Sequence, residues 1–201
     1  MQLADANNPM TSPKSTISDN RTRLIELLRE LSYERRKVVL ASGRESDFYV
    51  DGKQTTLHAE GATLLGKLIL ERIRNSPVAI DGVGGLTIGA DPIATATSVV
   101  SSLDGGPLVH AFYVRKEAKG HGTKTYVEGR KNLPDGSKVV VVEDTSTTGG
   151  SAWKAVERCR NEGLNVVMLI TVVDRLEGAV EFIAERGMTL ESLVTINDLI
   201  G

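Results

Sequence analysis

Cysteine, histidine and aromatic side chains are scarce in this chain of 201 residues. The one cysteine, Cys159, rules out an intrachain disulfide, and its place in a helical stretch reads as a packed thiol, not a reactive one. His58, His110 and His121 share no metal-ligand spacing with it, so a zinc site is not expected. Neither charge sign dominates: 24 Lys+Arg against 26 Asp+Glu leave a net charge of −2, which argues against bulk attraction to nucleic acid or an anionic membrane. Long apolar runs are also missing, and none approaches the ~18 residues that a spanning helix needs. The first 17 residues are polar and lack both an apolar h-region and Arg-rich amphipathicity. They are expected to be a disordered tail and not a targeting peptide, with 18–201 as a single domain of a cytoplasmic protein.

What is present is alternation. Helical spacing of Leu24, Leu27, Leu28 and Leu31 predicts a helix over 17–31, with Ser18 or Asp19 as its cap. Two short strands are expected at 38–40 and 48–50, around a turn-prone SGRESD. An amphipathic helix follows over 59–74, built on Leu64, Leu65, Leu68, Ile69 and Ile73. Strands at 78–83, 108–114, 139–142, 166–173 and near Val194 then alternate with helices at 87–101, from about Ser151 through Arg160, and at 177–185. This pattern predicts an α/β fold, a mainly parallel central sheet flanked by helices. Ligands in such folds bind beyond the carboxyl ends of the strands.

The richest segment is KVVVVEDTSTTGGS, from Lys138 to Ser151. Val139, Val140, Val141 and Val142 read as a strand covered on both faces. The run ends on Glu143 and Asp144, and a loop of Thr145, Ser146, Thr147, Thr148, Gly149 and Gly150 leads to a helix near Ser151. Backbone N–H groups in such a loop and helix start can cradle a phosphate. The two carboxylates can hold sugar hydroxyls or a divalent cation and favour positive charge on a sugar ring. The pattern is a site for a phosphorylated sugar.

Residues 115–134 (RKEAKGHGTKTYVEGRKNLP) form a long polar connection that gathers Arg115, Lys116, Lys119, His121 and Lys124. A cationic flap of this kind suits a polyphosphate. Two other glycine patterns are decoys. GATLLGK, from Gly61 to Lys67, lacks the Ser or Thr of a Walker loop and lies inside an amphipathic helix. Gly82, Gly84, Gly85 and Gly89 form no strict G-x-G-x-x-G and are expected to let backbone approach a ligand's phosphates. His110 reads as a structural strand residue, whereas His58, at a helix entrance, is either a cap or a site residue.

These segments resemble the orotate phosphoribosyltransferase family, type I phosphoribosyltransferases of pyrimidine synthesis. VVVVEDTSTTGGS is similar to the family's phosphoribosyl pyrophosphate signature. RKEAKGHG resembles its mobile catalytic loop, SGRESDFYVDGKQTT its N-terminal substrate segment, and VVDRLEG the place where an arginine binds the orotate carboxylate. Two positions depart from the pattern. Ala41 stands where many relatives have lysine, and GGLTIGADP lacks a lysine that some carry.

The resemblance implies transfer of ribose 5-phosphate from phosphoribosyl pyrophosphate to orotate, giving orotidine 5′-monophosphate and pyrophosphate. It implies a small N-terminal hood on the sheet domain, Mg²⁺ carried mainly by the substrate, and a homodimer with shared sites. Lys119, His121 and Asp144 would be catalytic. Arg115, Lys116, Lys119, His121 and residues 143–151 (Glu143, Asp144, Thr145, Ser146, Thr147, Thr148, Gly149, Gly150 and Ser151) would hold phosphoribosyl pyrophosphate. Thr147 and Arg175 would hold orotate, with a surface salt bridge to Asp174 as the other reading of Arg175. A purine phosphoribosyltransferase is the alternative enzyme, disfavoured by Arg175 and SGRESDFYVDGKQTT. A regulator that senses phosphoribosyl pyrophosphate is disfavoured because no basic DNA-binding face is evident.

Overall fold

The computed structural model describes residues 16–39, 45–118 and 125–200. Helix α1 (Ile17–Leu27) is capped by Thr16, whose hydroxyl accepts from Asp19 N while the Asp19 carboxylate accepts from Thr16 N. The cap is therefore Thr16 and not Ser18, and Asp19 completes a capping box from N3. The helix runs on as a π-helical turn, Leu28–Ser32.

Four two-residue strands make the hood: β1 (Tyr33–Glu34), β2 (Val38–Val39), β3 (Glu45–Ser46) and β4 (Tyr49–Val50). β1 pairs with β4 and β2 with β3, both antiparallel. The two expected strands therefore exist, but neither pairs with the other. Helix α2 (Gly52–Thr56), not foreseen from the sequence, is tied under the hood by Asp51 N to Ser32 O and by the buried Ser32–Thr55 hydroxyl pair, 2.7 Å. Helix α3 (Ala59–Arg74) matches its predicted span and buries Leu64, Leu65, Leu68, Ile69 and Ile73. A Cβ added at Gly66 would lie 2.9 Å from the Ala96 carbonyl oxygen, so the glycines of GATLLGK serve close helix packing and no phosphate loop.

The central sheet comprises β5 (Gly82–Leu86), β6 (His110–Val114), β7 (Val127–Glu128), β8 (Lys138–Ser146), β9 (Asn165–Asp174) and β10 (Leu190–Thr195). Their order is β10-β9-β8-β5-β6-β7, parallel except for the antiparallel edge strand β7. Helix α4 (Ala90–Leu103) crosses from β5 to β6, α5 (Gly150–Asn161) from β8 to β9, and α6 (Ala179–Ala184) from β9 to β10; α7 (Ile196–Ile200), also unforeseen, follows β10. Val140 and Val142 enter the apolar layer beneath α1, α3 and α4, while Val139 and Val141 enter the layer shared with α5 and α6. That two-residue alternation explains the unbroken valine run, since both faces are covered.

Around β5 and β7 the structure departs from the sequence reading. β5 begins at Gly82, not Val78, and runs through Gly84 and Gly85. Any Cβ at these glycines would collide with the carbonyl oxygens of Phe112 and Val142 on the neighbouring strands, so they serve sheet packing instead of ligand approach. The connection over 115–134 is not all loop, because β7 and a 3₁₀ turn, Arg130–Asn132, occupy its second half. The turn-prone residues 40–44, with Ala41, lie outside the described residues, as do residues 1–15 and the flap residues Lys119, His121 and Lys124.

Candidate active site

β8 does not stop at the carboxylates. Glu143, Asp144, Thr145 and Ser146 are all strand residues, with Glu143 opposite Thr171 and Ser146 opposite Asp174 on β9. The loop proper is only residues 147–149, and α5 opens at Gly150. Gly149 turns the chain with φ +80°, a left-handed conformation that favours glycine. Thr145, Ser146, Thr147, Thr148, Gly149, Gly150 and Ser151 converge with Glu143 and Ala152 on one niche of about 50 Å³. No side chain caps α5. The buried Thr145 Oγ1 and Ser146 Oγ also lack a partner. A niche with a bare helix N-terminus and idle hydroxyls is chemically matched to a small anion.

Glu143 and Asp144 are both buried, at 8% and 9% exposure. Burial, reinforced by the adjacent Asp144 carboxylate, pushes the Glu143 carboxyl up to about 8, and its Oε2 has no hydrogen-bond partner. Asp144 Oδ1 accepts from Thr145 N at 2.9 Å, and Oδ2 lies 3.9 Å from Lys53 Nζ. Lys53 also pairs with Asp51 at 2.8 Å, a hydrogen bond that raises the lysine's pKa, with the Asp144 charge adding to it. Two glycines permit this crowding around Asp144. A Cβ at Gly52 would sit 3.2 Å from Asp144 Cβ, and one at Gly89, in the turn after β5, 2.5 Å from Asp144 Oδ1. The Thr87–Ile88 peptide in that turn is cis.

Of the flap, Arg115 and Lys116 are described. Arg115 leaves β6 exposed, with Nη1 on Glu128 Oε1 at 3.1 Å and its backbone N–H on Tyr126 O at 2.8 Å. Lys116 is near enough to Glu143 that its charge favours the ionised carboxylate. Thr87, Arg115, Lys116 and Glu117 border an open cleft of about 350 Å³.

Arg175 stands one residue beyond β9, where its N–H bonds Ser146 O at 3.0 Å. It is only 6% exposed. Its guanidinium reaches the hood, with Nη2 3.3 Å from Ser46 Oγ and Cζ 4.9 Å from the Phe48 ring centroid. Nε lies 2.9 Å from Glu177 Oε1, an ion pair whose N–H is not aimed well enough for a hydrogen bond. The surface salt bridge with Asp174 is thus not what forms: the partner is Glu177, the pair is buried, and Asp174 Oδ1 accepts from Leu176 N instead.

The structure therefore brings the acidic pair, the hydroxyl and glycine turn and Lys116 together, and sets Arg175 beside the turn. His58 proves to be the cap of α3, its Nδ1 accepting from Gly61 N at 3.4 Å, and His110 is a strand residue. Among the described residues no three His, Cys, Asp or Glu side chains converge as a metal site. Sequence reasoning missed Asp51, Lys53 and Gly89. The D-G-K triplet lay within a quoted substrate segment, but only the unforeseen α2 aims Lys53 at Asp144.

A family model described as phosphoribosyl transferase domain matches residues 53–192. The chain is 48% identical over 191 residues to an orotate phosphoribosyltransferase of Nostoc sp., covering 95% of this chain and 89% of that one. The crystal structure of Mycobacterium tuberculosis orotate phosphoribosyltransferase in complex with Fe(III) dicitrate superposes with a TM-score of 0.76 at 44% identity, covering 90% of this chain and 98% of that one. The same enzyme in complex with 5-phospho-α-D-ribosyl 1-diphosphate gives a TM-score of 0.74 at 41% identity, with 90% and 99% covered. Sheet order, buried acidic pair and glycine-opened helix thus accompany sequence identity along nearly the whole chain, and the chain belongs to the orotate phosphoribosyltransferase family.

Proposed function

We propose that this chain transfers the ribose 5-phosphate group from phosphoribosyl pyrophosphate to orotate, releasing pyrophosphate. The observation that carries the reading is the placement of a buried acidic pair and an uncapped helix N-terminus at the end of β8, with the buried Arg175 guanidinium beside them.

In this reading the 5′-phosphate occupies the niche over residues 145–151. N–H groups at the start of α5 and the hydroxyls of Thr145, Ser146, Thr147, Thr148 and Ser151 hold it there. Glu143 and Asp144 accept from the ribose hydroxyls. As the bond to pyrophosphate lengthens, positive charge spreads over the anomeric carbon and ring oxygen. Carboxylate at Asp144 favours that state over the neutral ground state. Arg115, Lys116, Lys119 and His121 donate to the pyrophosphate oxygens, most strongly as negative charge builds on them. Arg175, with Thr147, takes the orotate carboxylate in its planar fork, a match that lysine would make poorly.

Asp144 and Glu143, whose Oε2 has no partner and whose proton a bound cation would displace, would fit a hard divalent cation together with substrate oxygens. Mg²⁺ so bound supplies neutralising charge for the leaving group. We further propose a homodimer, as the family resemblance implies. The test is loss of orotate absorbance on addition of phosphoribosyl pyrophosphate and Mg²⁺, with adenine, hypoxanthine and uracil as competing acceptors. Orotate consumption that stops with chelator supports the reading; consumption of a purine in its place overturns it.

A further inference from the structure

Helix α5 does more than open at the phosphate niche. Two turns further on Arg158, and just past the helix end Glu162, reach the other end of the cleft. Arg158 Nη1 donates to the carbonyl oxygen of Arg115, and Nη2 to that of Lys116 at 2.9 Å. The same guanidinium lies over Tyr126, with Cζ 4.1 Å from the ring centroid. Glu162 Oε1 accepts from Tyr126 N and, at 3.1 Å, from Val127 N. Arg115 N–H bonds Tyr126 O, which closes the arrangement. One helix therefore grips both roots of the connection between β6 and β7.

A solvent-facing arginine does not usually hold one geometry, because its rotamer entropy opposes ordering. Here three partners fix it: two carbonyl acceptors that suit the planar fork and an aromatic face within cation–π distance. Glu162 adds two charge-assisted bonds to backbone N–H groups of the returning root. None of these contacts touches the niche itself. What they determine is where the backbone of Arg115 and Lys116 stands relative to the start of α5.

We propose that Arg158, backed by Glu162 and Tyr126, is a positioning residue that ties Arg115 and Lys116 to the phosphate-binding helix. It sets the separation between the pyrophosphate and 5′-phosphate ends of the site. This rests on the reading of the site given above, in which Arg115 and Lys116 contact pyrophosphate while the start of α5 holds the ribose phosphate. Arg158 contacts neither. Its loss should therefore weaken one end of the substrate and spare the other.

The experiment uses the full chain and two probes, inorganic pyrophosphate and ribose 5-phosphate, each titrated by calorimetry with Mg²⁺ present. If the wild-type chain binds neither probe, the functional reading fails and not the clamp. With both bound, Arg158→Ala is expected to weaken pyrophosphate about tenfold, equivalent to ~1.4 kcal/mol, and to raise the KM for phosphoribosyl pyrophosphate in parallel. Ribose 5-phosphate affinity should stay within about twofold, the scale expected for a contact that is not made. Arg158→Lys keeps the charge but cannot fork across two carbonyls, so it should resemble the alanine variant. Full recovery by lysine would mean that charge alone matters and would overturn the clamp. Equal weakening of both probes, or of neither, overturns it as well. Tyr126→Leu removes the stacking face without removing a donor. It should shift pyrophosphate in the same direction by less, which keeps the test intact if Arg158→Ala does not fold.

Discussion

Lys53 Nζ stands 3.9 Å from Asp144 Oδ2 and 2.8 Å from Asp51 Oδ1, so a lysine from α2 bridges two carboxylates at the rim of the cleft. The contact crosses from the hood to the central sheet. It makes the short helix α2 part of the site.

Replacing Lys53 with Met should therefore act on turnover more than on stability. The side chain is 43% exposed, and ion pairs of that kind contribute only ~0–1 kcal/mol. Removing the one described ion-pair partner of Asp144, however, frees that carboxylate to rotate away from the position in which, on the proposed reading, it meets the ribose. A fall in kcat/KM for phosphoribosyl pyrophosphate of about tenfold is expected, less than the ~10²–10³-fold for losing a donor at the reacting centre itself, because Lys53 acts through Asp144. An unchanged kcat/KM in steady-state assays would remove Lys53 from the site.

Glu143 makes stability depend on pH in a definite direction. Its carboxyl is raised from 4.5 to about 8, by burial first and by Asp144 second. Between those values the folded chain keeps a proton that the unfolded chain has released. Stability from this group is thus full below about 4.5 and is lost progressively as the pH rises toward 8. Glu143→Gln has no such proton. In ligand-free protein, its Tm should gain on the wild type as the pH climbs from 5 to 8, by about ten degrees, since a pKa unit corresponds to ~1.4 kcal/mol and each kcal/mol to ~2–4 °C in a domain of this size. Parallel Tm curves across that range would refute a proton held at Glu143.

Gly89 offers a steric test of the acidic pair. A methyl group at this position would lie 2.5 Å from Asp144 Oδ1, too close to be tolerated without displacement. The Asp144 side chain is 12% exposed and packed against Gly52 on the other side, so it has little room to yield. Gly89→Ala should lower kcat by about tenfold or more, the cost of misplacing a reacting group by a fraction of an ångström to an ångström. Binding of inorganic phosphate, which has no ribose hydroxyls for Asp144 to hold and on the proposed reading sits at the start of α5, should change little in the same variant. Loss of both together would show that the β5–α4 turn had collapsed.

How far the sequence foretold this site can be seen along β8 and its neighbours. Val139 to Val142 announced a doubly covered strand because burial on both faces erases the two-residue polar alternation, and the structure bears that out. The continuation of the strand through Ser146 was not visible. Nothing in E-D-T-S distinguishes a strand end from a loop until β9 is there to pair with it. Gly84 and Gly85 misled for a related reason. Glycine signals a close approach, but only the tertiary structure reveals that the approaching atoms belong to neighbouring strands and not to a ligand. Lys53 and Arg158 were ordinary charged residues until their partners, distant in sequence, were placed opposite them, and Asp51, two residues before Lys53, gained a place near the site only with Lys53.

On the proposed reading, Arg175 should give the clearest separation of the two substrates. The guanidinium is 6% exposed and is held by Glu177, Ser46 and the face of Phe48, so its position does not depend on a ligand to order it. A carboxylate entering between hood and sheet meets a preset planar donor, and preorganisation of that kind lowers the cost of binding. Arg175→Ala should raise the orotate KM by about 10²-fold, the scale for losing a charge-assisted pair in a shielded site, while the KM for phosphoribosyl pyrophosphate moves far less. Arg175→Lys should recover little, because an ammonium cannot present two parallel N–H donors to a carboxylate or lie flat on Phe48. Removing an ion-pair partner from Glu177 will also lower Tm in the alanine variant, so the ratio of the two KM values is the measurement that decides. Equal increases in both would assign Arg175 to holding the hood in place and not to the acceptor.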